Sequence, residues 1–427
     1  MKVAPVMRSV DEHRQVVTAL ITARRPVTMP VAHDTAALGL VLADNVVAPM
    51  SLPGFDNSAM DGYAVIVEDV ATASDDIPVR LPVTEDIPAG RTDLTTITAG
   101  TAQRIMTGAP LPSGTTGVVP VEATDGAIDT VTIRASARPG QHIRRAGEDV
   151  TAGTTVLRAG QVITPAVLGL AAALGLAELT VIPRQRVLVM STGTELVAPG
   201  TALQPGQIYE SNAVMLAAAV RDAGAEVVAA PMSGDDVDAF RETLRRRTGD
   251  ADLIITTGGV SAGAYEVVKD ALSGTVEFVK VAMQPGMPQG AGRLDDAAGD
   301  DAAGGDAAGT PIVTLPGNPV SALVSFEVFV RPALRAAMGL PNPDRPRRTA
   351  VLAEDLTSPR GKRQFRRGVL SEGSTTGEGP ATDTVTSYGP PASHHLRWLA
   401  SANCLLELEE DTTEVAAGQR VKVWDLR

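Results

Sequence analysis

The sequence predicts a multidomain α/β protein, and three observations predict it. The chain has 427 residues, more than one ordinary hydrophobic core accommodates. From Arg186 to Met338, short buried-strand patterns alternate with helical ones, as in an open, mostly parallel sheet with helices on its faces. On either side, residues 63–138 and 346–427 carry short apolar runs broken by Gly, Pro, Asp and Thr, the pattern of small β modules.

Composition narrows the function classes. A net charge of −13 argues against a general nucleic-acid binder, whose affinity rests on basic surface, while leaving room for a local anion site. The single cysteine, Cys404, excludes an intramolecular disulfide framework and a Cys-only zinc site. The start MKVAPVMRSVDEHRQ has no apolar signal core. The longest apolar run, Ala166 to Ala177, is shorter than the roughly 18 residues needed to span a bilayer. The expectation is a cytoplasmic protein with neither a membrane nor a nucleic acid as partner.

Residues 9–24 predict a helix. Ser9 is placed to cap it with Glu12 at capping-box spacing, and Val10, Val17, Leu20 and Ile21 form its apolar face. The segment DTAALGLVLADNVVAP reads as a short helix or strand ending at Pro49. The loop SLPGFDNSAMDGYAV (51–65) is dense in turn formers and carries Asp56 and Asp61; its length suits either an Asx-turn connection or a functional loop. The β module that follows contains the turn RIMTGAPLPSG. GQHIRRAGEDV (140–150) sets Arg144 and Arg145 beside Glu148 and Asp149, a charged loop whose forked donors also suit an oxyanion. Thr164 and Pro165 make an Ncap and N1 pair.

In the alternating region, RVLVMSTGTEL is a strand followed by a turn bearing Glu195. Ser211 is the expected cap of the next helix and Gly224 its stop. Asp235 precedes the helix DVDAFRETLRRRT. DLIITTGGVSAGAYE is a buried strand, a Gly-Gly turn and a helix start with Glu266 one turn in. Paired glycines let the backbone approach a ligand, and free amides beside a carboxylate suit a phosphate held with Mg²⁺; a tight turn with no ligand fits the same residues. PIVTLPGNPVSALVSF closes the series with a strand, a Pro-Gly-Asn-Pro turn and a long helix. Loops 191–195, 256–263 and 315–319 all leave carboxyl ends of predicted strands, where such sheets gather their ligand crevice.

Asp295 to Gly309 contains only Asp, Ala and Gly, which predicts a disordered loop without a function of its own. A hairpin loop is expected near 371–384. No Walker A, G-x-G-x-x-G, H-E-x-x-H or G-x-S-x-G pattern occurs. His394 and His395 are adjacent, and a strand would point them apart.

Taken together, GFDNSAMDGYAV, RIMTGAPLPSG, GQHIRRAGEDV, STGTEL, TTGGVSAG and LPGNPVSALVSF, in this order over nearly the whole chain, closely resemble the molybdopterin molybdenumtransferases (the MoeA family, similar to the gephyrin E domain). The resemblance implies an elongated segmented domain from 1–53 and 146–182, an inserted β module at 54–145, an α/β domain at 183–338 similar to the molybdopterin adenylyltransferases, and a small β-barrel-like domain at 346–427. It implies a homodimer with the site at the subunit interface. The implied reaction takes adenylylated molybdopterin and molybdate, releases AMP in a Mg²⁺-dependent step and yields molybdenum cofactor. The adenylyltransferase and recipient molybdoenzymes are the implied protein partners.

By motif the resemblance assigns Asp56, Asp149, Glu195, Asp235 and Glu266 to catalysis, with Glu195, Asp235 and Glu266 on the metal. It assigns Thr107, Arg144, Arg145, Lys362 and Ser393 to the anionic substrate. The turns at Thr257, Gly258, Gly259 and Ser261, and at Pro316, Gly317 and Asn318, would hold its pterin phosphate and pyrophosphate. Phosphoryl chemistry of this kind relies on positioning and electrostatics, so no nucleophilic side chain is required. Two departures stand out: many members have Asp at Glu266, and two lysines where this chain has Gln284 and Met287 in QPGMP. The alternatives are a non-catalytic cofactor carrier and an adenylyltransferase-like paralogue, against which the residues ahead of the α/β domain count.

Overall fold

Seven strands of the alternating region form one sheet: β1 (Arg186–Thr192), β2 (Glu226–Ala229), β3 (Leu253–Thr257), β4 (Val276–Lys280), β5 (Pro288–Leu294) and β6 (Thr310–Leu315), in the order β2-β1-β3-β6-β5-β4, with the short strand Met232–Ser233 pairing in parallel beside the end of β1. This computed structural model describes residues 7–32, 35–93, 95–259, 267–294, 309–373 and 382–427, and it divides into a unit of residues 28–181 and a unit of 1–27 with 182–427. The pairs β1–β2, β1–β3 and β3–β6 are parallel; β5–β6 and β4–β5 are antiparallel. Period-two alternation divides the apolar side chains between two cores. Val187, Val189, Ile255 and Val313 pack on one face with helix Asn212–Asp222 and the helical stretch 319–337. Leu188, Met190, Ile254 and Ile312 pack on the other with Phe240 and Leu244.

Strand β5 is one the sequence did not announce, because PQGAGRL has no alternation. A Cβ on Gly290 would lie 2.2 Å from Thr314 Oγ1, and one on Gly292 2.2 Å from the Thr275 carbonyl oxygen. Glycine is what lets these strands approach.

The capping box of helix Val10–Leu20 forms as its spacing predicts. The helix belongs with the α/β unit. Its apolar stripe (Val10, Val17, Ile21) shares a core with Phe329 and Ala333, and Arg363 clamps Asp11 with bonds of 3.0 and 2.9 Å. The helix at 212 departs from expectation. The Ser211 side chain makes no capping bond; Glu210 Oε1 accepts from the Ala213 N–H at 2.7 Å instead. At the next helix the cap is Asp236, which accepts from Ala239 N.

The chain end closes a five-stranded barrel from Arg347–Leu352, Arg363–Ser371, Thr384–Ser387, Cys404–Leu408 and Arg420–Asp425; pairing of Arg363–Ser371 with Cys404–Leu408 completes the ring. Its interior holds Leu352, Leu370, Val385, Leu406 and Val423 with Cys404, whose thiol is pushed up to about 12 by burial.

In the 28–181 unit, strands distant in sequence pair with one another. Val46–Val47 pairs with Thr155–Leu157, and Val41–Leu42 shares a three-stranded sheet with Glu178–Ile182. The span between them contains a separate five-stranded sheet in the order 117–120, 62–65, 102–105, 79–87, 130–133 around Tyr63, Val65, Val119 and Val131. Thr164 caps helix Pro165–Ala173 through Val167 N. Among the described residues no helix is long and apolar enough to cross a membrane. The Asp/Ala/Gly tract, apart from Gly309, and residues 374–381 of the expected hairpin loop lie outside the described residues.

Candidate functional site

The loops after β1, β3 and β6 line one cleft of about 1080 Å³, at the carboxyl ends of three adjacent parallel strands. Its floor is bare backbone. Gly258, at φ 90°, lies so close to β1 that a Cβ would sit 2.8 Å from the Thr192 carbonyl oxygen. A Cβ on Gly317 would come within 3.3 Å of Gly258 Cα. At Gly193, φ 152°, the Glu195 carboxylate folds back to 2.6 Å from the position a Cβ would occupy. Thr192 Oγ1 donates to the Thr257 carbonyl at 3.2 Å and Asn212 Nδ2 to the Gly317 carbonyl at 2.7 Å, tying the turns together.

The charged side chains lining the cleft are Glu195, Glu210 and Asp235, with His394; among the described residues no Lys or Arg lines it. Asp235 Oδ2 accepts from Thr194 Oγ1 at 2.8 Å and from Thr194 N at 3.2 Å. Glu210 is buried, and its Oε1 accepts from Ser191 Oγ at 2.8 Å as well as from Ala213 N. Asn318 Nδ2 donates to Ser393 Oγ at 3.0 Å, and Val320 N to the Ser393 carbonyl at 3.1 Å, fixing the barrel loop to the turn after β6.

Of the residues expected to serve the site, Glu195, Asp235, Thr257, Gly258, Gly259, Pro316, Gly317, Asn318 and Ser393 share this cleft. Ser261 and Glu266 lie outside the described residues. Lys362 precedes the barrel strand Arg363–Ser371 and does not line the cleft. Among the described residues no group of three His, Cys, Asp or Glu is arranged for a metal. Glu195 and Asp235 nevertheless offer hard carboxylate oxygens in a lining without cations, a donor set that fits Mg²⁺.

Asp56, Thr107, Arg144, Arg145 and Asp149 belong to the 28–181 unit. There Asn57–Ser58 pairs with Ile143–Arg144, which brings the Asp56 carboxylate to the Ala146 N–H at 2.8 Å and the Arg145 guanidinium at 2.5 Å. Those two contacts, the amide first, hold its carboxyl below the usual range. Asp61 accepts from Thr107 N at 2.6 Å and Thr107 Oγ1 at 2.8 Å, which lowers its pKa too. Both donors of Thr107 are therefore committed within the protein. The Arg144 and Asp149 side chains are exposed.

Sequence reasoning missed Glu210 and Asn212. The available signal was an acid one position ahead of a predicted cap in IYESN. It also misjudged the histidine pair: the His394 and His395 rings meet edge-on, centroids 4.3 Å apart, because they precede the short helix Leu396–Ala400 in a turn and not on a strand.

Three family profiles match in order: the MoeA N-terminal region (domain I and II) over residues 8–175, a probable molybdopterin binding domain over 188–336, and the MoeA C-terminal region (domain IV) over 349–426. Molybdopterin molybdenumtransferase 2 of Mycobacterium tuberculosis is 66% identical over 428 residues, covering 98% of this chain and 100% of the relative. Molybdopterin molybdenumtransferase 1 of the same organism is 38% identical over 434 residues, 98% of each. The crystal structure of a molybdopterin biosynthesis MoeA protein from Pyrococcus horikoshii matches with a TM-score of 0.78 at 26% identity, covering 99% of this chain and all of that one. With every region of the family present in order and a relative this similar along its full length, the chain belongs to the MoeA family of molybdopterin molybdenumtransferases.

Proposed function

We propose that the transferase reaction of this chain, a step of molybdenum cofactor biosynthesis, takes adenylylated molybdopterin and molybdate, depends on Mg²⁺ and releases AMP. The observation that carries this reading is the cleft itself: a side-chain-free floor at Gly258 and Gly317 beside Glu195 and Asp235, with no cationic side chain among its described lining. Bare backbone accepts bulky phosphates at close range, yet carboxylates alone would repel them.

Glu195, Asp235 and Glu266 would hold Mg²⁺, which would supply charge neutralisation and polarisation of phosphate oxygens. The chain's own residues do the rest. Backbone at 257–259 and 316–318, with Ser261, holds the pterin phosphate and pyrophosphate. Ser393, held by Asn318, orients the substrate from the barrel side. Asp56 and Asp149 position molybdate for attack at the phosphoanhydride, with Arg144, Arg145 and Lys362 supplying donors for oxyanions. Thr107 acts indirectly by holding the Asp61 loop.

The protein would act in the cytoplasm as a homodimer, residues 56 and 144–149 of one subunit serving the cleft of the other, between the adenylyltransferase that supplies its substrate and the molybdoenzymes that receive its product.

AMP release from purified adenylylated molybdopterin, with Mg²⁺ and with or without molybdate, tests the reaction. Molybdate-dependent release is expected. Bound substrate with no release would instead favour the second reading, a carrier, which draws support from Gln284 and Met287 lining the cleft. Light scattering at working concentration tests the dimer, and a monomer that is fully active would remove it.

A further inference from the structure

Among the described residues three carboxylates line the cleft, Glu195, Asp235 and Glu210, yet no group of three His, Cys, Asp or Glu is arranged for a metal. Glu210 is therefore not a third ligand beside the other two. It also differs from them in burial: Glu195 and Asp235 are exposed, whereas Glu210 is 4% exposed. Its side-chain contacts with the protein both fall on Oε1, which accepts from Ser191 Oγ at 2.8 Å and from Ala213 N at 2.7 Å. The Ser191 hydroxyl has one proton, so in its 3.1 Å contact with Thr257 Oγ1 it accepts. The donors of this chain thus run towards Glu210. Oε2 has no partner among the described residues. Asn212, which also lines the cleft, repeats the arrangement: Nδ2 donates to the Gly317 carbonyl, and the buried Oδ1 has no partner among the described residues.

An apolar shelf adjoins these acceptors in the sequence and in the lining. The short strands Leu196–Val197 and Ile208–Tyr209 pair in parallel, and Leu196, Ile208 and Tyr209 line the cleft. Ile208 and Tyr209 are half-exposed, and Tyr209 Oη donates to the Thr201 carbonyl at 2.8 Å, which fixes the ring. A buried carboxylate oxygen without a partner is unfavourable, and only an N–H or O–H donor offsets that. Phosphate and carbonyl oxygens are repelled there. A flat heterocycle with adjacent donors on its edge suits both shelf and acceptor. A pterin has such an edge, a ring N–H next to an exocyclic amino group, whereas the amino group of adenine is flanked by ring nitrogens that accept. We propose that Glu210 is a specificity residue for the pterin head: Oε2 accepts from its amino-pyrimidinone edge while the ring lies on the 196–209 shelf. This rests on the molybdenumtransferase reading of the cleft and states which end of the substrate this wall takes.

The experiment titrates pterin, lumazine (an oxygen in place of the 2-amino group) and AMP into the full-length protein and into Glu210→Gln. Glutamine keeps an acceptor for Ser191 and Ala213 but turns an NH₂ donor towards the ligand. The wild type should bind pterin about tenfold more tightly than lumazine, and Glu210→Gln should abolish or invert that preference while AMP affinity stays within about twofold. A purely structural role would weaken all three ligands alike. Equal affinity of the wild type for pterin and lumazine overturns the proposal, as does a folded Glu210→Gln that keeps the wild-type preference or loses pterin and AMP in parallel. If Glu210→Gln does not fold, Glu210→Asp replaces it: a carboxylate drawn back by one methylene should weaken pterin by about threefold or more and leave lumazine unchanged, and parallel changes overturn the proposal. Failure of the function reading is separate, since the wild type would then prefer pterin to lumazine yet release no AMP from adenylylated molybdopterin.

Discussion

The Thr192 carbonyl oxygen lies 2.8 Å from the position a Cβ on Gly258 would occupy. Two strand ends of the sheet thus meet through backbone alone at the floor of the cleft. Gly258→Ala must both break this approach and place alanine at φ 90°. The expected cost is about 1–3 kcal/mol of stability together with loss of substrate binding, read by denaturant unfolding and by titration with molybdopterin. Unchanged affinity would show that the turn does not contact the ligand.

Glu210 serves as a buried clamp, joining Ser191 Oγ to the first turn of the helix at 212. Glu210→Ala leaves a hydroxyl and an amide without their acceptor and should destabilise by about 1–3 kcal/mol. Glu210→Gln, which keeps an acceptor oxygen, should recover most of that. Urea melts of the two variants side by side check the difference, and equal losses would indicate that the carboxylate charge matters more than the acceptor.

The lining of the cleft lacks cations where Gln284 and Met287 stand. Gln284→Lys with Met287→Lys should tighten binding of the anionic substrate by about tenfold and lower the Mg²⁺ concentration needed for it. Calorimetry at several Mg²⁺ concentrations reads both. Weaker binding in the double variant would mean that this wall faces an uncharged part of the substrate.

Asp56 is partly exposed and bonded to Ala146 and Arg145. Asp56→Asn should reduce turnover by roughly tenfold or more while shifting stability by no more than about 1 kcal/mol, because solvent screens the ion pair. Full turnover would remove its assigned role.

His13 is fully buried against Phe329, ring centroids 4.8 Å apart, and burial, aided by Arg8 and opposed by Glu277, lowers its pKa from 6.5 to about 4. The unfolded chain therefore binds a proton that the folded chain refuses. No penalty exists above pH 6.5; it grows as pH falls and saturates near pH 4, at about 3 kcal/mol. His13→Phe should flatten the stability profile in that window. A profile identical to the wild type's would show that other groups set the acid limit.

Much of this protein is legible in its residues. Short continuous apolar runs such as RVLVM and DLIIT suit a sheet buried on both faces, and Thr-Gly-Thr, Gly-Gly and Pro-Gly-Asn at their ends mark the turns that line the cleft. Ser9 with Glu12, and Thr164 with Pro165, act within one turn of chain, so spacing was enough to identify them. Six motifs in order carried the family, which the comparisons then established.

Other features depend on partners far away in sequence. The apolar stripe of helix Val10–Leu20 shows that it packs, but Phe329 and Ala333 decide where. Strand Pro288–Leu294 exists because its neighbours come too close for side chains, and closure of the barrel depends on a pairing between residues 363–371 and 404–408. Glu210 displaces Ser211 as cap because Ser191 lies beside it in space. Local spacing and hydrophobic period determined the elements and their turns, since those forces act over a few residues. Which carboxylates share the cleft was decided by tertiary structure, because burial and hydrogen-bond satisfaction are settled only when distant segments pack.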